Sequence, residues 1–165
     1  MNKKIMLTTA ILVLAISTLA WVARPTNTNN TANIKSVSNG ILAAAETSFD
    51  FGEISMAQGK VSHNFTVKNT GTEAIAIEKI YTSCMCTDAT LNAQGKEYGP
   101  YGMAGHGFIP KINAKLAPNE EATISAVFDP AAHGPAGVGK IQRSVYLENN
   151  AGEPLELNFS ATVTP

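Results

Sequence analysis

The two cysteines of the chain, Cys84 and Cys86, are separated by one residue in the stretch Ser83-Cys84-Met85-Cys86-Thr87. Side chains two residues apart leave the same face of an extended strand, so both sulfur atoms would point into one small volume. That geometry suits a soft metal ion or an exchangeable disulfide. The cysteine pair is therefore the part of the sequence best suited to chemistry.

Two histidines are candidates to complete a metal site around the cysteines. His106 lies in a glycine-rich stretch from 92 to 112, and His133 lies in a proline-bounded loop after Asp129. Thiolates and imidazoles form a soft donor set that suits copper, as Cu(I), or zinc. Copper fits better, because structural zinc sites favour cysteines separated by two residues or more. The predicted metal ligands are Cys84, Cys86, His106 and His133.

Three other interpretations of the cysteine pair remain open. The thiols could cycle with a disulfide, which would be strained and easily reduced if the segment is extended. Both cysteines could be packing residues, since free cysteine is often a small buried hydrophobe, although thiols outside the cytoplasm tend to oxidise. Nucleophilic catalysis needs a base and an orienting group that the sequence does not place, so we expect no enzymatic activity.

Short segments of alternating apolar and polar residues dominate the chain after residue 46, and the clearest of them runs from Leu155 to Val163. Alternation with period two is typical of strands with one buried face, and no strong helical period occurs in this part. The sequence therefore predicts an antiparallel all-β sandwich of about seven strands. These strands are expected at about 49–52, 61–67, 75–81, 108–116, 124–128, 141–147 and 155–163.

The direction of successive strands predicts where the candidate ligands lie. If the strand through Phe65 runs up, the next strand runs down and brings the cysteines to the bottom of the sandwich. The strand at 108–116 returns to the Pro118 turn at the top, and the strand through Phe128 then brings His133 to the bottom. The cysteines and both loop histidines should therefore share one end, and one extra or missing strand would reverse this.

The first segment of the chain is predicted to enter a membrane. Lys3 and Lys4 precede an uncharged run from 5 to 23, which is close to the roughly 20 residues that span a bilayer. We expect residues 1–23 to form an apolar helix that acts as a single-pass signal anchor, with the domain on the extracytoplasmic side. Cleavage of a signal peptide is the alternative, and the domain would then be secreted or periplasmic.

Composition after the first segment separates a linker from one domain. Residues 24–45 include a polar, almost uncharged run and are predicted to be a flexible linker, whereas residues 46–165 are long enough for one domain. With 12 basic and 13 acidic residues and no basic cluster, nucleic acid is a poor partner candidate, and no small-molecule substrate is evident. The main alternative to metal binding is a structural or protein-interaction module with an unknown partner in the cell envelope.

Several short motifs resemble a known bacterial family, the domain of unknown function 1573, over about residues 47–163. They are Phe49-Asp50-Phe51-Gly52-Glu53-Ile54, Gly59-Lys60-Val61-Ser62-His63-Asn64-Phe65, Lys68-Asn69-Thr70-Gly71, the cysteine stretch, and Leu116-Ala117-Pro118-Asn119-Glu120. That family is similar to the immunoglobulin-like ASH and Hydin domains, so the resemblance implies an exported immunoglobulin-like sandwich. The family usually has a short stretch where this chain has the glycine-rich insertion 92–112, and a long loop of this kind is typically functional or disordered.

Overall fold

The described part of the chain is a β-sandwich of two five-stranded sheets. The structure is a computed structural model that describes residues 38–165. In spatial order, the first sheet contains β1 (Leu42–Ala44), β3 (Val61–Asn69), β8 (Glu121–Phe128), β5 (Thr87–Ala93) and β6 (Lys96–Tyr101). The second contains β2 (Ser48–Ser55), β10 (Leu155–Thr164), β9 (Gly139–Asn149), β4 (Ile75–Thr82) and β7 (Ala114–Leu116).

The all-β class predicted from the sequence is confirmed for residues 38–165, whose helical elements are two short 3-10 turns, Met56–Gln58 and Gly134–Gly137. Strand pairs are antiparallel except for β2 and β10, which run parallel. Within the described range, no helix is long and apolar enough to cross a membrane. The predicted apolar helix at 1–23 and the linker residues up to 37 lie outside the described residues.

The strand count of about seven is too low, because the described residues form ten strands. The predicted strand at 108–116 is a strand only at Ala114–Leu116, while β6 and the last two residues of β5 lie in the first part of the predicted insertion 92–112. β1 lies inside the range 24–45 that the sequence assigns to a linker, and it pairs with β3. The first sheet therefore begins earlier in the chain than the sequence indicates.

The β5–β6 hairpin explains why the insertion was predicted to be a loop. β5 does alternate, with Thr87, Ala89, Leu91 and Ala93 buried, but leucine is the only large apolar side chain among them. The turn consists of Gln94 and Gly95 with φ of 53° and 72°, which is the backbone that a two-residue hairpin of strongly twisted strands requires. A small-residue strand followed by glycine has the composition of a loop even when it is paired.

The core lies between the two sheets and is built from the inward residues of the alternating strands. Its largest fully buried side chains include Phe65 of β3 and Phe159 of β10. The Phe159 ring contacts the rings of Phe51 and Phe128, with centroids 5.5 Å away in both cases. Aromatic contacts of this kind join strands of both sheets and add to the stabilisation from burial.

One end of the sandwich is organised by Asn69, which is fully buried where β3 ends. Its amide Nδ2 donates to the carbonyl oxygens of Glu73 and Leu116 at 2.8 and 3.0 Å, and its Oδ1 accepts from the backbone of Ile41 and Gly71. Gly71 is required here, since an added Cβ would lie 2.5 Å from the Cα of Gly40. We call this the Asn69 end.

Candidate functional site at the cysteine turn

The cysteines lie in a turn, residues 83–86, at the end of the sandwich opposite Asn69. This turn carries the chain from β4 in one sheet to β5 in the other. The Thr82 hydroxyl lies 3.0 Å from the carbonyl oxygens of both Cys84 and Thr87, and the Thr87 N–H donates to the Cys84 carbonyl at 3.1 Å. We call residues 83–86 the cysteine turn.

The cysteine turn is attached to β9 and to the loop after β8. Ser83 N–H donates to the Ser144 carbonyl, and Ser144 N–H donates to the Ser83 hydroxyl, both at 2.9 Å. On the other side, Asp129 N–H donates to the Cys86 carbonyl at 2.9 Å. The turn is therefore held by backbone groups from two separate parts of the chain.

Cys84 and Cys86 form a disulfide, with Cα atoms 5.3 Å apart. The expectation that this segment is extended is wrong, and the turn brings the two Cα atoms well inside the usual range for disulfides. The two sulfur atoms have different surroundings. Cys86 is 3% exposed and belongs to the core, whereas Cys84 is half-buried at its edge.

His133 reaches the disulfide from the loop between β8 and β9. Its Nε2 lies 3.2 Å from Cys84 Sγ. The loop begins with Asp129, whose carboxylate accepts a hydrogen bond from Ala131 N–H at 2.9 Å, as aspartate commonly does at the start of a turn. Because the same Asp129 donates its own N–H to Cys86, the loop and the cysteine turn are joined next to the histidine.

Three of the four predicted metal ligands are close together in the structure. One ligand atom each from Cys84, Cys86 and His133 lie within 4.8 Å of one another. His106 is exposed and is not part of this group, although its N–H donates to Met103, which forms a bridge with Thr82 beside the turn. Strand counting therefore predicts the correct end for His106, and the structure leaves its ring outside the cluster.

The third histidine has a different environment. His63 lies on β3, where its ring stacks on Phe49 with centroids 3.6 Å apart and its Nε2 contacts the Glu46 carboxylate. His63 is therefore a half-buried histidine with partners of its own, away from the cysteines. It is not part of the sulfur cluster.

Arg143 is a residue of the site that the sequence analysis does not identify. Its Nε donates to Cys86 Sγ at 3.3 Å, and its Nη1 donates to the Gln142 carbonyl. On β9 it is paired with Phe159 and takes the same alternate positions as the buried Val145 and Leu147. The sequence does contain one sign of this role, because Arg143 places a cation in the series of inward positions that Val145 and Leu147 occupy. Charged residues occupy core-facing positions only when they have a partner.

Two tyrosines near the cysteine turn remain neutral at physiological pH. Burial, followed by the negative charge of Glu148, raises the pKa of Tyr81 above its ordinary value of 10.0. Burial and neighbouring Tyr98 raise the pKa of Tyr101 in the same direction. A positive charge contacts Cys86 directly, because the Arg143 guanidinium lies 3.3 Å from its sulfur atom.

A surface cavity of about 420 Å³ opens beside the cysteine turn. It is lined by His133, by residues 136–138 and by residues 140–143, which include Arg143. His133, which contacts Cys84 Sγ, and Arg143, which contacts Cys86 Sγ, thus line the same cavity. Its volume lies in the lower part of the range that small-molecule sites occupy.

Comparison with solved structures shows the fold. The chain is similar to a protein of unknown function from Porphyromonas gingivalis W83, with 12% identity and a TM-score of 0.58 over 79% of this chain and 51% of that one. It is also similar to the Vibrio cholerae VesB protease, with 13% identity and a TM-score of 0.51 over 76% and 32%. The chain thus spans about half and about a third of these proteins, and at such identities the likeness concerns the fold alone.

Weaker similarity extends to the ASH/PapD-like domain of human CEP192, with 14% identity and a TM-score of 0.44 over 74% of this chain and 84% of that domain. No curated protein sequence matches the chain. The model of one family, described as a protein of unknown function (DUF1573), matches residues 42–102, a range that contains the cysteine turn. The resemblance to the DUF1573 family that the sequence motifs indicate is thereby confirmed.

Proposed function

We propose that the reduced cysteine turn binds one soft metal ion through Cys84, Cys86 and His133, with Cu(I) preferred to Zn(II). The observation that carries this proposal is the approach of three donor atoms from two separate loops to within 4.8 Å of one another. Metal–sulfur bonds are about 2.3 Å long, so two sulfur atoms on one ion are at most about 4.6 Å apart. The donor atoms of Cys84, Cys86 and His133 therefore need to move only slightly to bind one ion together.

The composition of the cluster favours copper. Structural zinc sites have four protein ligands, whereas the described residues supply three at this point. Thiolates select Cu(I) among the common ions, and Met85, which is 55% exposed between the two cysteines, offers a further soft donor. Two thiolates and Cu(I) carry one net negative charge, which the adjacent Arg143 guanidinium offsets.

Metal binding and the disulfide exclude each other. Thiolates are the ligand form of cysteine, so the Cys84–Cys86 disulfide must accept two electrons before an ion can bind. The metal-free oxidised domain and the metal-bound reduced domain are therefore two states of one site. Reduction also releases the Cys84 and Cys86 sulfur atoms from each other, which allows the ion to sit between them.

We expect the full-length chain, reduced without oxygen and purified in detergent, to bind about one Cu(I) per chain. The Cys84→Ser/Cys86→Ser variant should bind almost none. His133→Ala should weaken binding at least about tenfold, since even outer residues of metal sites cost 10- to 100-fold when removed. The measurement is a competition titration with a Cu(I) chelator, followed by metal analysis.

His106→Ala is the matched control for His133→Ala. Both remove an exposed histidine from a loop at this end, and only His133 contacts a cysteine. We expect His106→Ala to leave the affinity within about twofold, as is usual for substitutions away from a ligand set. No copper on the reduced chain, or equal copper on the double cysteine variant, would rule out the site and favour the interaction module.

In this proposal the chain is exported and anchored by residues 5–23, with the metal site outside the cytoplasm. Two observations support this location: Lys3 and Lys4 before the apolar run, and the disulfide, which is typical of oxidising compartments. We expect bacterial alkaline phosphatase fused after Pro165 to be active with the full chain and inactive without residues 2–23. Equal activity of both fusions would contradict export, and the mass of the mature chain distinguishes an anchor from a cleaved signal.

A further inference from the structure

We infer that the Cys84–Cys86 disulfide exchanges with small thiols and has a fixed polarity, in which the incoming thiolate attacks Cys84 and Cys86 leaves. This activity does not depend on metal binding. It would operate in a metal-free chain, and it supplies the reduction that the proposed metal site needs. Two asymmetries around the two sulfur atoms and the cavity beside them support it.

The first asymmetry is burial. Cys86 is 3% exposed and lies in the core cluster, whereas Cys84 is half-buried and meets the exposed His133. Thiol–disulfide exchange needs the attacking thiolate to approach one of the two sulfur atoms, and access decides which one. An external thiol therefore reaches Cys84 before it reaches Cys86.

The second asymmetry is the position of the positive charge. Arg143 Nε–H points at Cys86 Sγ over 3.3 Å, from a core-facing position of β9. The sulfur that leaves a disulfide does so as a thiolate, and a neighbouring guanidinium stabilises that anion through a charge-assisted hydrogen bond. The thiolate is thus best stabilised on Cys86, the sulfur that is harder to attack.

The third observation is the cavity beside the cysteine turn, which lies next to the more exposed sulfur. His133, whose Nε2 lies 3.2 Å from Cys84 Sγ, is one of its lining residues. Arg143 also lines this cavity, whose volume is about 420 Å³. A cavity of that size admits a low-molecular-weight thiol, which we take as the class of reductant.

The reaction balances with two molecules of that thiol. The first, as a thiolate, attacks Cys84 Sγ, so a mixed disulfide forms on Cys84 while the Cys84–Cys86 bond breaks and its electron pair stays on Cys86. The second thiolate attacks the sulfur of the small thiol in the mixed disulfide, and Cys84 leaves as a thiolate that takes its proton from water. The chain gains two electrons, and the two small thiols become one disulfide.

The polarity is tested by trapping the mixed disulfide on the full-length oxidised chain in a metal chelator. The chain is mixed briefly with glutathione, quenched with an alkylating reagent, digested and examined by mass spectrometry. We expect glutathione on Cys84 and the alkyl group on Cys86 in at least about nine of ten trapped molecules, given the difference in access. Glutathione on Cys86, or on both residues equally, would overturn the inference.

The role of Arg143 as a positioning residue is tested by charge. Arg143→Gln should slow reduction by glutathione about tenfold, the effect of losing one charge-assisted hydrogen bond to the leaving sulfur, and Arg143→Lys should restore part of the rate. Lys115→Gln, which removes an exposed cation from β7, is the matched control and should change the rate less than about twofold. Equal rates for Arg143→Gln and Arg143→Lys would overturn the assignment, because a merely structural role does not depend on the charge.

These outcomes are independent of the copper titration. A chain that exchanges with the expected polarity but binds no copper retains the inference and loses the proposed metal site. A chain that binds copper after chemical reduction but shows the wrong polarity retains the proposed metal site and loses the inference. The two experiments thus separate the two activities of the same sulfur atoms.

Discussion

Asn69→Ala is expected to lower the free energy of unfolding by about 3–4 kcal/mol, a large fraction of the stability of a domain of this size. The Asn69 side chain makes four hydrogen bonds to backbone groups, and it is fully buried. Alanine removes all four and leaves the carbonyl groups of Glu73 and Leu116 without these donors. Because these groups belong to three segments, the loss affects β1, the β3–β4 turn and β7 together.

Urea unfolding followed by circular dichroism measures this change, with two companion variants. Asn69→Asp keeps the two accepted hydrogen bonds but loses both donated ones, and it places a negative charge opposite two carbonyl groups. It should therefore lower the free energy of unfolding by at least about 3 kcal/mol. Asn64→Ala, on the exposed side of the same strand, should cost less than about 0.5 kcal/mol. A loss below about 1 kcal/mol for Asn69→Ala would contradict the role given to this side chain.

Phe159→Ala should cost about 3–5 kcal/mol, the usual range for phenylalanine in a core. Phe159 is 1% exposed, lies in the long strand β10 and contacts the rings of both Phe51 and Phe128. Alanine leaves a cavity between the two sheets, and β10, which is paired on both sides, cannot shift far enough to close it. The expected result is a lower urea midpoint with an unchanged slope.

Phe108→Ala is the matched control for Phe159→Ala. Phe108 is 88% exposed in the segment before β7, so its truncation should change the free energy of unfolding by less than about 0.5 kcal/mol. If the two variants lowered the free energy of unfolding by similar amounts, the Phe159 ring would not be packed against Phe51 and Phe128 as described. A changed slope in the Phe159 variant would show that the denatured state, or two-state unfolding, is affected instead.

The strands that sequence predicts well are those with large alternating side chains. β3, β8 and β10 each carry β-branched or aromatic residues on their inward face, and this pattern has few alternative explanations. β5 is missed because its inward residues other than Leu91 are small. β6 is missed because it is short and mostly exposed and contains Gly99 and Pro100, which are typical of loops. The parallel partner of β10 is also not predictable from alternation, because periodicity indicates a buried face and says nothing about which strand lies alongside.

The placement of the site was predicted correctly from an incomplete strand count. The omitted β5 and β6 form a hairpin, so the chain goes up and returns before it continues to β7. Two missing strands leave the direction of every later strand unchanged. The His133 loop therefore lies beside the cysteine turn as expected, and a single missing strand would have placed it at the Asn69 end.

Which histidine approaches Cys84 could not be predicted from the sequence in the same way. Two histidines lie in glycine-containing loops at the same end, and which ring reaches Cys84 depends on the backbone of each loop. The hydrogen bond from Asp129 to Cys86 draws the second loop onto the turn, whereas the His106 segment is attached further away through Met103 and Thr82. Long-range backbone contacts of this kind have no signature in residue spacing.

The short separation of the cysteines gives the domain unusual freedom in its redox state. A cross-link stabilises a fold chiefly by restricting the unfolded chain, and this effect grows with the number of residues enclosed. Here the cysteines are only two positions apart, so the chain-entropy contribution is only about 1–2 kcal/mol, compared with about 5 for a link across a hundred residues. The sulfur–sulfur bond can therefore be opened and closed while the sandwich remains folded, because the fold depends on this bond for only a small part of its stability.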